Sequence, residues 1–248
     1  MIVKGTTSIK GLSGVLLACL LLFSPGRARA SSIVDVAFTA GGTHPTGAAV
    51  IGSSGDYWNV SPGAFATNLA LDNTGDTSAG FTLNESATNG GSYNDGSSSL
   101  PNSNLTNGYL YGSNTNPITM TLTGLNAGEQ YDLLVYTAGD PGAGNGRPEA
   151  ITVDSLTTLD ATANGGGSSW NQGVNYVEFV GIAGSSTLTI SAATTNNTQP
   201  QVNGFQLEDV GPAPPSSPEP GSIVSMATGV ALIGTFALRR KRVGQANR

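Results

Sequence analysis

Apolar residues recur at every second position through the middle of this chain. The pattern is clearest for Ile118, Met120 and Leu122 in one segment and for Leu188 and Ile190 in another. Such alternation places one face of a strand in a core and the other face in solvent. On this basis we predict nine strands, at residues 33–39, 65–71, 80–83, 117–122, 131–137, 150–153, 174–180, 186–191 and 202–208.

Short glycine-rich turns separate the predicted strands, as at residues 124–128 and 183–185. Apolar residues at helical spacing are missing from residues 31–211. Many short strands joined by such turns indicate an all-β fold, and we predict a jelly-roll-like antiparallel β-sandwich. Its two sheets are expected to bury the even-numbered apolar residues of the central strands. The mostly polar residues 83–117 are predicted to form a surface insertion at the rim.

The N-terminus has the order of a secretory signal peptide. Lys4 and Lys10 precede an apolar core at residues 12–23, and the small residues Ala28 and Ala30 follow it. We therefore predict a signal peptide over residues 1–30, with cleavage after Ala30. The single cysteine of the chain lies inside the apolar core. The mature protein should then contain no cysteine, which excludes disulfides and thiolate chemistry.

The C-terminus carries a second uncharged apolar run, at residues 222–238. Its seventeen residues would rise about 26 Å as a helix, enough to cross the hydrocarbon core of a thin bilayer. We predict a transmembrane helix here, preceded by a proline- and serine-rich linker at residues 212–217. The run is followed by four cations that should stop transfer and stay cytoplasmic, namely Arg239, Arg240, Lys241 and Arg242.

This tail resembles the PEP-CTERM sorting signal of bacterial exported proteins. The resemblance covers roughly the final thirty residues and consists of Pro218, Glu219 and Pro220, then the hydrophobic run, then the basic cluster. It implies that an exosortase-like membrane protease recognises the tripeptide and removes the anchor. It also implies a transiently membrane-anchored precursor whose product reaches the cell surface or the extracellular matrix. Residues 31–211 would then be the β-sandwich domain and residues 218–248 the sorting tail.

The distribution of charge predicts the same topology. All sixteen acidic residues lie between Asp35 and Glu219, where Arg147 is the only cation, so this stretch carries a net charge of −15. The nine other cations lie in the two terminal segments, which predicts cytoplasmic ends and an exported body. The secretion machinery is therefore an expected partner. Nucleic acid is not, because so acidic a body cannot neutralise phosphates.

Parts of the body resemble the galactose-binding-like β-sandwiches found on PEP-CTERM proteins. The resemblance is carried by residues 119–136, by residues 203–207, and by Asp56-Tyr57-Trp58-Asn59. It implies a jelly-roll fold related to carbohydrate-binding modules. It does not imply that this chain binds sugar, because fold and function separate readily.

The two tryptophans are the sequence candidates for glycan binding. An aromatic ring stacks on the apolar face of a sugar, and neighbouring polar side chains bind its hydroxyl groups. Trp170 is followed by Asn171 in a glycine- and serine-rich segment, and Trp58 has a similar asparagine neighbour. Arg147 is the available forked donor. Trp58 has an alternative interpretation as a core residue that closes one end of the sandwich.

A calcium ion is the only cofactor that the sequence indicates. Asp140 and Asn145 lie in a glycine-rich loop that offers a carboxylate, an amide oxygen and main-chain carbonyls. These are the hard oxygen ligands that calcium prefers, although the spacing differs from that of an EF-hand. The loop is either a structural calcium site or a plain glycine-rich turn.

Catalytic chemistry finds little support in the sequence. His44 is the only histidine, and no Gly-x-Ser-x-Gly segment accompanies it, so we predict an exposed loop histidine. A glycosidase would need two of the acids Asp56, Asp95, Asp140 and Glu149 to face each other. Solvated loop acids are the simpler interpretation, and we predict that the protein is not an enzyme.

The sequence therefore predicts an exported, non-catalytic protein of the cell surface or extracellular matrix. A lectin-like carbohydrate-binding module is the alternative, with extracellular polysaccharide as its partner, and a glycoside-active enzyme is a third and more distant hypothesis.

Overall fold

The computed structural model of the chain describes residues 32–39, 44–61, 65–92, 99–113, 115–138, 147–155, 157–162, 167–194 and 199–213. The chain divides into two units, residues 1–211 and 212–248, and the second is described only at its first two residues. The predicted signal peptide, sorting tripeptide, membrane helix and basic cluster all lie outside the described residues. Within the described residues, no helix has the length and apolar character needed to cross a membrane.

Almost all of the regular secondary structure in the described chain is β-strand. Its one helical element is a 3₁₀-helix at Ser103–Asn107. The strands, in chain order, are β1 Ser32–Ala37, β2 Trp58–Val60, β3 Leu69–Asp72, β4 Ser78–Ser86, β5 Asn89–Ser92, β6 Gly108–Tyr111, β7 Ile118–Thr123, β8 Glu129–Tyr136, β9 Glu149–Val153, β10 Thr157–Ala161, β11 Tyr176–Ala183, β12 Thr187–Thr194, β13 Gln201–Val202 and β14 Gly204–Pro212.

These strands form two large sheets and one small sheet. One sheet has the order β11-β8-β14-β1-β2, and another has the order β10-β9-β12-β7-β4-β3. The third contains β13, β6 and β5. Every pair in the six-stranded sheet is antiparallel, whereas β1 pairs antiparallel with β14 and parallel with β2. The predicted all-β class with antiparallel sheets is confirmed.

The main core lies between the two large sheets. The six-stranded sheet contributes Met120 and Ile190, and the five-stranded sheet contributes Leu133, Val177 and Phe205, all in one buried cluster. The prediction that even-numbered residues face the core is correct for β7 and β12. It is wrong for β8, β11 and β14, whose odd-numbered residues do so. Whether the odd- or the even-numbered residues of a strand face the core depends on the turn that precedes it, so one strand does not predict the next.

The outer face of the five-stranded sheet is also covered. Leu134 and Tyr136 of β8 point away from the main core and are buried in a second cluster with Trp58 and Leu105. Three segments supply this cover: a loop at residues 44–57, the 3₁₀-helix, and a loop at residues 167–175. Because the second half of β8 is buried on both faces, its residues 133–136 form a continuous apolar run rather than an alternating one.

The prediction that residues 83–117 form a surface insertion is wrong. Residues 83–117 contain the end of β4, the hairpin strands β5 and β6 and the 3₁₀-helix. Leu100, Leu105, Tyr109 and Leu110 from this segment are buried. A few apolar residues among many polar ones are enough to pack the segment against the sandwich, which its overall composition does not reveal.

Candidate functional site

Trp170 is a partly exposed aromatic residue on the outer side of the five-stranded sheet. Its indole Nε1 donates a hydrogen bond of 3.0 Å to the main-chain carbonyl of Pro101. Its ring packs edge-on against Tyr136, with ring centroids 4.8 Å apart and an interplanar angle of 63°. This is a favourable aromatic geometry, and the hydrogen bond fixes the orientation of the ring in its plane.

Tyr176 also contacts Tyr136. It is the cross-strand partner of Tyr136 in the β11–β8 ladder, with ring centroids 6.2 Å apart. Tyr136 is fully buried, whereas Trp170 and Tyr176 are partly exposed. We call this group the aromatic surface: Trp170 and Tyr176 above the buried Tyr136.

The loop that carries Trp170 is held by its own hydrogen bonds. The main-chain nitrogen of Asn171 donates to Asn175 Oδ1 at 2.7 Å, and the Asn175 main-chain nitrogen donates back to the Asn171 carbonyl at 3.1 Å. The side-chain amides of both asparagines donate to the Ser169 carbonyl. Trp170 is thus presented by an ordered turn, which lowers the entropy cost of binding a ligand there.

A buried polar network lies directly beneath the aromatic surface. The Tyr136 hydroxyl donates to Gln206 Oε1 and accepts from the main-chain nitrogen of Val50 at 3.2 Å. Gln206 Nε2 donates to Asp35 Oδ1 at 2.8 Å and to the Ile51 carbonyl at 3.2 Å. The network therefore ties β1, β8 and β14 to the 44–57 loop.

Asp35 is the ionisable centre of this network. Its side chain is 0 % exposed, and its Oδ2 has no hydrogen-bond partner among the described residues. Burial raises the pKa of Asp35 to about 7; the hydrogen bond from Gln206 opposes this, and the carboxylate of Asp56 adds to it. Burial also raises the pKa of the Tyr136 hydroxyl well above its ordinary value.

Trp58, a candidate for glycan binding from the sequence, is not available for it. It is 0 % exposed, and its Nε1 donates to the Gly47 carbonyl at 2.8 Å. A ring with no exposed area cannot stack on a sugar, so Trp58 belongs to the second core, as the alternative interpretation held. Its neighbour Asn59 is also buried and bonds the main chain of Asp35 and Asp72.

Arg147 and Trp170 have different described neighbours. The described contacts of Trp170 are with Pro101 and Tyr136, whereas the charge of Arg147 acts on Glu149. Glu149 is 0 % exposed and accepts a hydrogen bond of 2.5 Å from the main-chain nitrogen of Gln201. Burial raises the Glu149 pKa well above its ordinary value, while that hydrogen bond and Arg147 act in the opposite direction.

The interpretation of the acids as solvated is wrong for two of the four candidates. Glu149 lies in a buried strand, and Asp56 is only 8 % exposed and bonds both the main-chain nitrogen and the hydroxyl of Ser53. Asp95 and the predicted calcium ligands Asp140 and Asn145 lie outside the described residues. Within the part of the chain that is described, no group of three or more His, Cys, Asp or Glu side chains is placed to hold a metal ion.

His44 is exposed, as predicted. Its Nδ1 lies 3.4 Å from the Trp58 carbonyl oxygen, and its ring lies 6.4 Å from that of Tyr57. These contacts attach the histidine to the cover of the second core.

A separate groove opens where the edge strands β10 and β11 of the two large sheets face each other. It has a volume of about 340 Å³ and is lined by apolar side chains such as Leu159 and Ile182, with Asp154 and Glu178 among them. Its one aromatic lining residue among those described, Phe179, is 5 % exposed. None of the described sequence candidates lines this groove, and its described lining offers no exposed ring on which a sugar can stack.

No protein-family model matches the sequence, and no curated protein matches it. A solved structure that matches in part is described as the native structure of a family 35 carbohydrate binding module from Clostridium thermocellum. It is 19 % identical, and the match covers 37 % of this chain and 76 % of that chain with a TM-score of 0.26. A score this low establishes no common fold. The class of this protein, all-β with antiparallel sheets, follows from its own strands and their pairing.

Proposed function

We propose that this chain is an exported, non-catalytic protein of the cell surface or extracellular matrix, and that its β-sandwich binds neutral glycan through the aromatic surface. The observation that carries the binding proposal is the placement of Trp170. Its ring is partly exposed, its nitrogen is bonded to Pro101, and it packs at an angle of 63° against the buried Tyr136. A ring that is already fixed before binding is suited to stacking on the apolar face of a sugar.

Polar groups beside the ring support the same proposal. Asn171 is exposed next to Trp170, and the partly exposed Tyr176, whose ring also contacts Tyr136, adds a hydroxyl donor and acceptor. The class of glycan follows from charge. A body with a net charge of −15 repels anionic polymers, so an uncharged polysaccharide or oligosaccharide is the expected ligand.

The jelly-roll type of sandwich is part of this proposal. The chain passes between the large sheets from β2 to β3, from β7 to β8, from β8 to β9, from β10 to β11, from β11 to β12 and, by way of β13 in the small sheet, from β12 to β14. Repeated crossing between two facing sheets is what a jelly roll requires.

The non-catalytic assignment is supported by the positions of the buried acids. Glu149 is enclosed in β9, and Asp35 is enclosed beneath the 44–57 loop. Neither carboxyl reaches the surface where a substrate would bind, and a glycosidase needs both of its carboxyls at the scissile bond. Turnover of a glycan that is lost in Asp140→Asn would contradict this assignment.

Export and sorting form the second half of the proposal, and they are supported by the sequence of the two ends. The signal peptide directs secretion, and the tail at residues 218–248 holds the precursor in the membrane until an exosortase-like protease acts at Pro218-Glu219-Pro220. Intact-mass measurement of the secreted protein should place its N-terminus at Ser31 and its C-terminus near Glu219. A secreted product that retains residues 222–238 would contradict the sorting proposal.

Glycan binding is tested by applying the secreted protein to an array of neutral and charged glycans, with and without calcium. We expect binding to neutral glycans that is lost in Trp170→Ala. Phe65→Ala is the matched control, because Phe65 is 67 % exposed and lies outside the aromatic surface. An array with no binding under either condition would leave a purely structural or adhesive matrix protein as the function.

A further inference from the structure

We propose that Asp35 makes the aromatic surface sensitive to pH, so that glycan binds more tightly when the Asp35 carboxyl is neutral than when it is ionised. This inference rests on the proposed function and adds a mode of regulation to the same surface. It is carried by the contacts that join Asp35 to Trp170.

The connection between the two residues is short and continuous. Asp35 Oδ1 accepts from Gln206 Nε2, and Gln206 Oε1 accepts from the Tyr136 hydroxyl. The Tyr136 ring then supports Trp170 at a centroid distance of 4.8 Å. Two side chains therefore separate the buried carboxyl from the partly exposed Trp170 ring.

Among the described residues, none around Asp35 compensates a negative charge on Oδ2. In the sheet, Asp35 lies between the neutral residues Gln206 of β14 and Trp58 of β2. The ionisable groups with an electrostatic effect here are Asp56, from the 44–57 loop, and Tyr136, from β8. Asp56 carries the same sign of charge, and the phenol is neutral. Asp35 Oδ2 itself has no partner among the described residues.

Ionisation should therefore loosen the cover above Asp35. A buried carboxylate without a partner is costly, and water is the nearest source of hydrogen bonds for it. Water can reach Oδ2 if the 44–57 loop moves, and this loop is bonded to the network through Val50 and Ile51. Movement of the loop would break the hydrogen bond from Val50 to Tyr136 and release the residue on which Trp170 rests.

The test measures glycan affinity and Trp170 fluorescence across pH in the secreted protein. From about pH 5.5 to about pH 8.5, we expect affinity for the neutral glycan found on the array to fall about fivefold, with a midpoint near 7. The emission assigned to Trp170, obtained by difference from Trp170→Phe, should shift with the same midpoint. Asp35→Asn, which keeps the shape and stays neutral, should remove both transitions.

Glu85→Gln is the matched control. Burial raises the pKa of Glu85 to about 7 as well, but Glu85 bonds Ser61 and belongs to a different part of the fold. Its replacement should leave both transitions unchanged. Tyr136→Phe keeps the ring and removes the hydroxyl, so it should abolish the response of Trp170 while the protein stays folded. This variant tests the connection independently if Asp35→Asn fails to fold.

Failure of this inference can be distinguished from failure of the proposed function. In one outcome, no glycan binds at any pH, but the Trp170 emission still shifts near pH 7 and does so only when Asp35 is present. The proposed glycan-binding function is then wrong, and the coupling between Asp35 and Trp170 is supported. If glycan binds equally at both pH values, or if the transition survives Asp35→Asn or Tyr136→Phe, the coupling is overturned.

Discussion

The buried acids predict that this protein loses stability as pH rises. Asp35 has an ordinary pKa of 3.8 that burial raises to about 7 in the folded state, and Glu85 has an ordinary pKa of 4.5 that burial also raises to about 7. Between those values the folded state binds more protons than the unfolded state. The stability that these two carboxyls contribute is therefore fully present below about pH 4 and is lost as pH rises through about 7.

The size of the loss follows from the change in pKa. At about 1.4 kcal/mol for each pH unit between the unfolded and folded pKa, Asp35 accounts for about 4 kcal/mol and Glu85 for about 3 kcal/mol. Both side chains are at least nine-tenths buried, so solvent screens little of this effect. Glu149, whose pKa is also raised by burial, acts in the same direction.

Urea unfolding of the secreted protein at a series of pH values measures this loss. We expect the free energy of unfolding to drop by several kcal/mol between about pH 4.5 and about pH 8. Asp35→Asn and Glu85→Gln should each reduce the dependence of the unfolding free energy on pH by the amount that the replaced carboxyl contributes. Asp76→Asn is the control. Asp76 is exposed in a turn and has a left-handed backbone conformation, which asparagine tolerates. Equal stability at the two ends of the range, or an unchanged slope in both variants, would refute the reasoning.

Three further predictions concern packing and metal binding. Trp58→Ala should cost about 3–5 kcal/mol in urea unfolding because Trp58 is fully buried, and Trp170→Ala should cost clearly less. Gly108→Ala should cost about 1–3 kcal/mol, because an added Cβ would lie 2.5 Å from the Phe38 carbonyl oxygen; an unchanged midpoint would show that the main chain adjusts freely. If the predicted calcium loop binds the ion, EDTA should lower the Tm of the secreted protein but not that of Asp140→Asn.

The strands with strong alternation were predictable from the sequence. The segments of β7, β12 and β14 have apolar residues at every second position. Strand β7 lies within one residue of its predicted bounds, and β12 and β14 overlap theirs but end three and four residues later. The short strands β2, β5, β6 and β10 were missed. They are only three to five residues long, too short to show a clear alternating pattern, and they become strands by pairing with neighbours whose positions the local sequence does not reveal.

The candidate site was only partly predictable. Trp170 was identified because an aromatic residue in a glycine- and serine-rich segment tends to be exposed. The residues beneath it could not be identified from the sequence, because Asp35 and Gln206 are 171 positions apart and meet only through the β1–β14 ladder. The continuous apolar run at the end of β8 was the available signal that Tyr136 faces a second core.

Isothermal titration of a neutral oligosaccharide into the secreted protein tests the central claim most directly. Glycan binding through the aromatic surface predicts saturable binding at one site per chain, which is abolished in Trp170→Ala and retained in Phe65→Ala. Undiminished binding by Trp170→Ala, or loss of binding in Phe65→Ala alone, would contradict it.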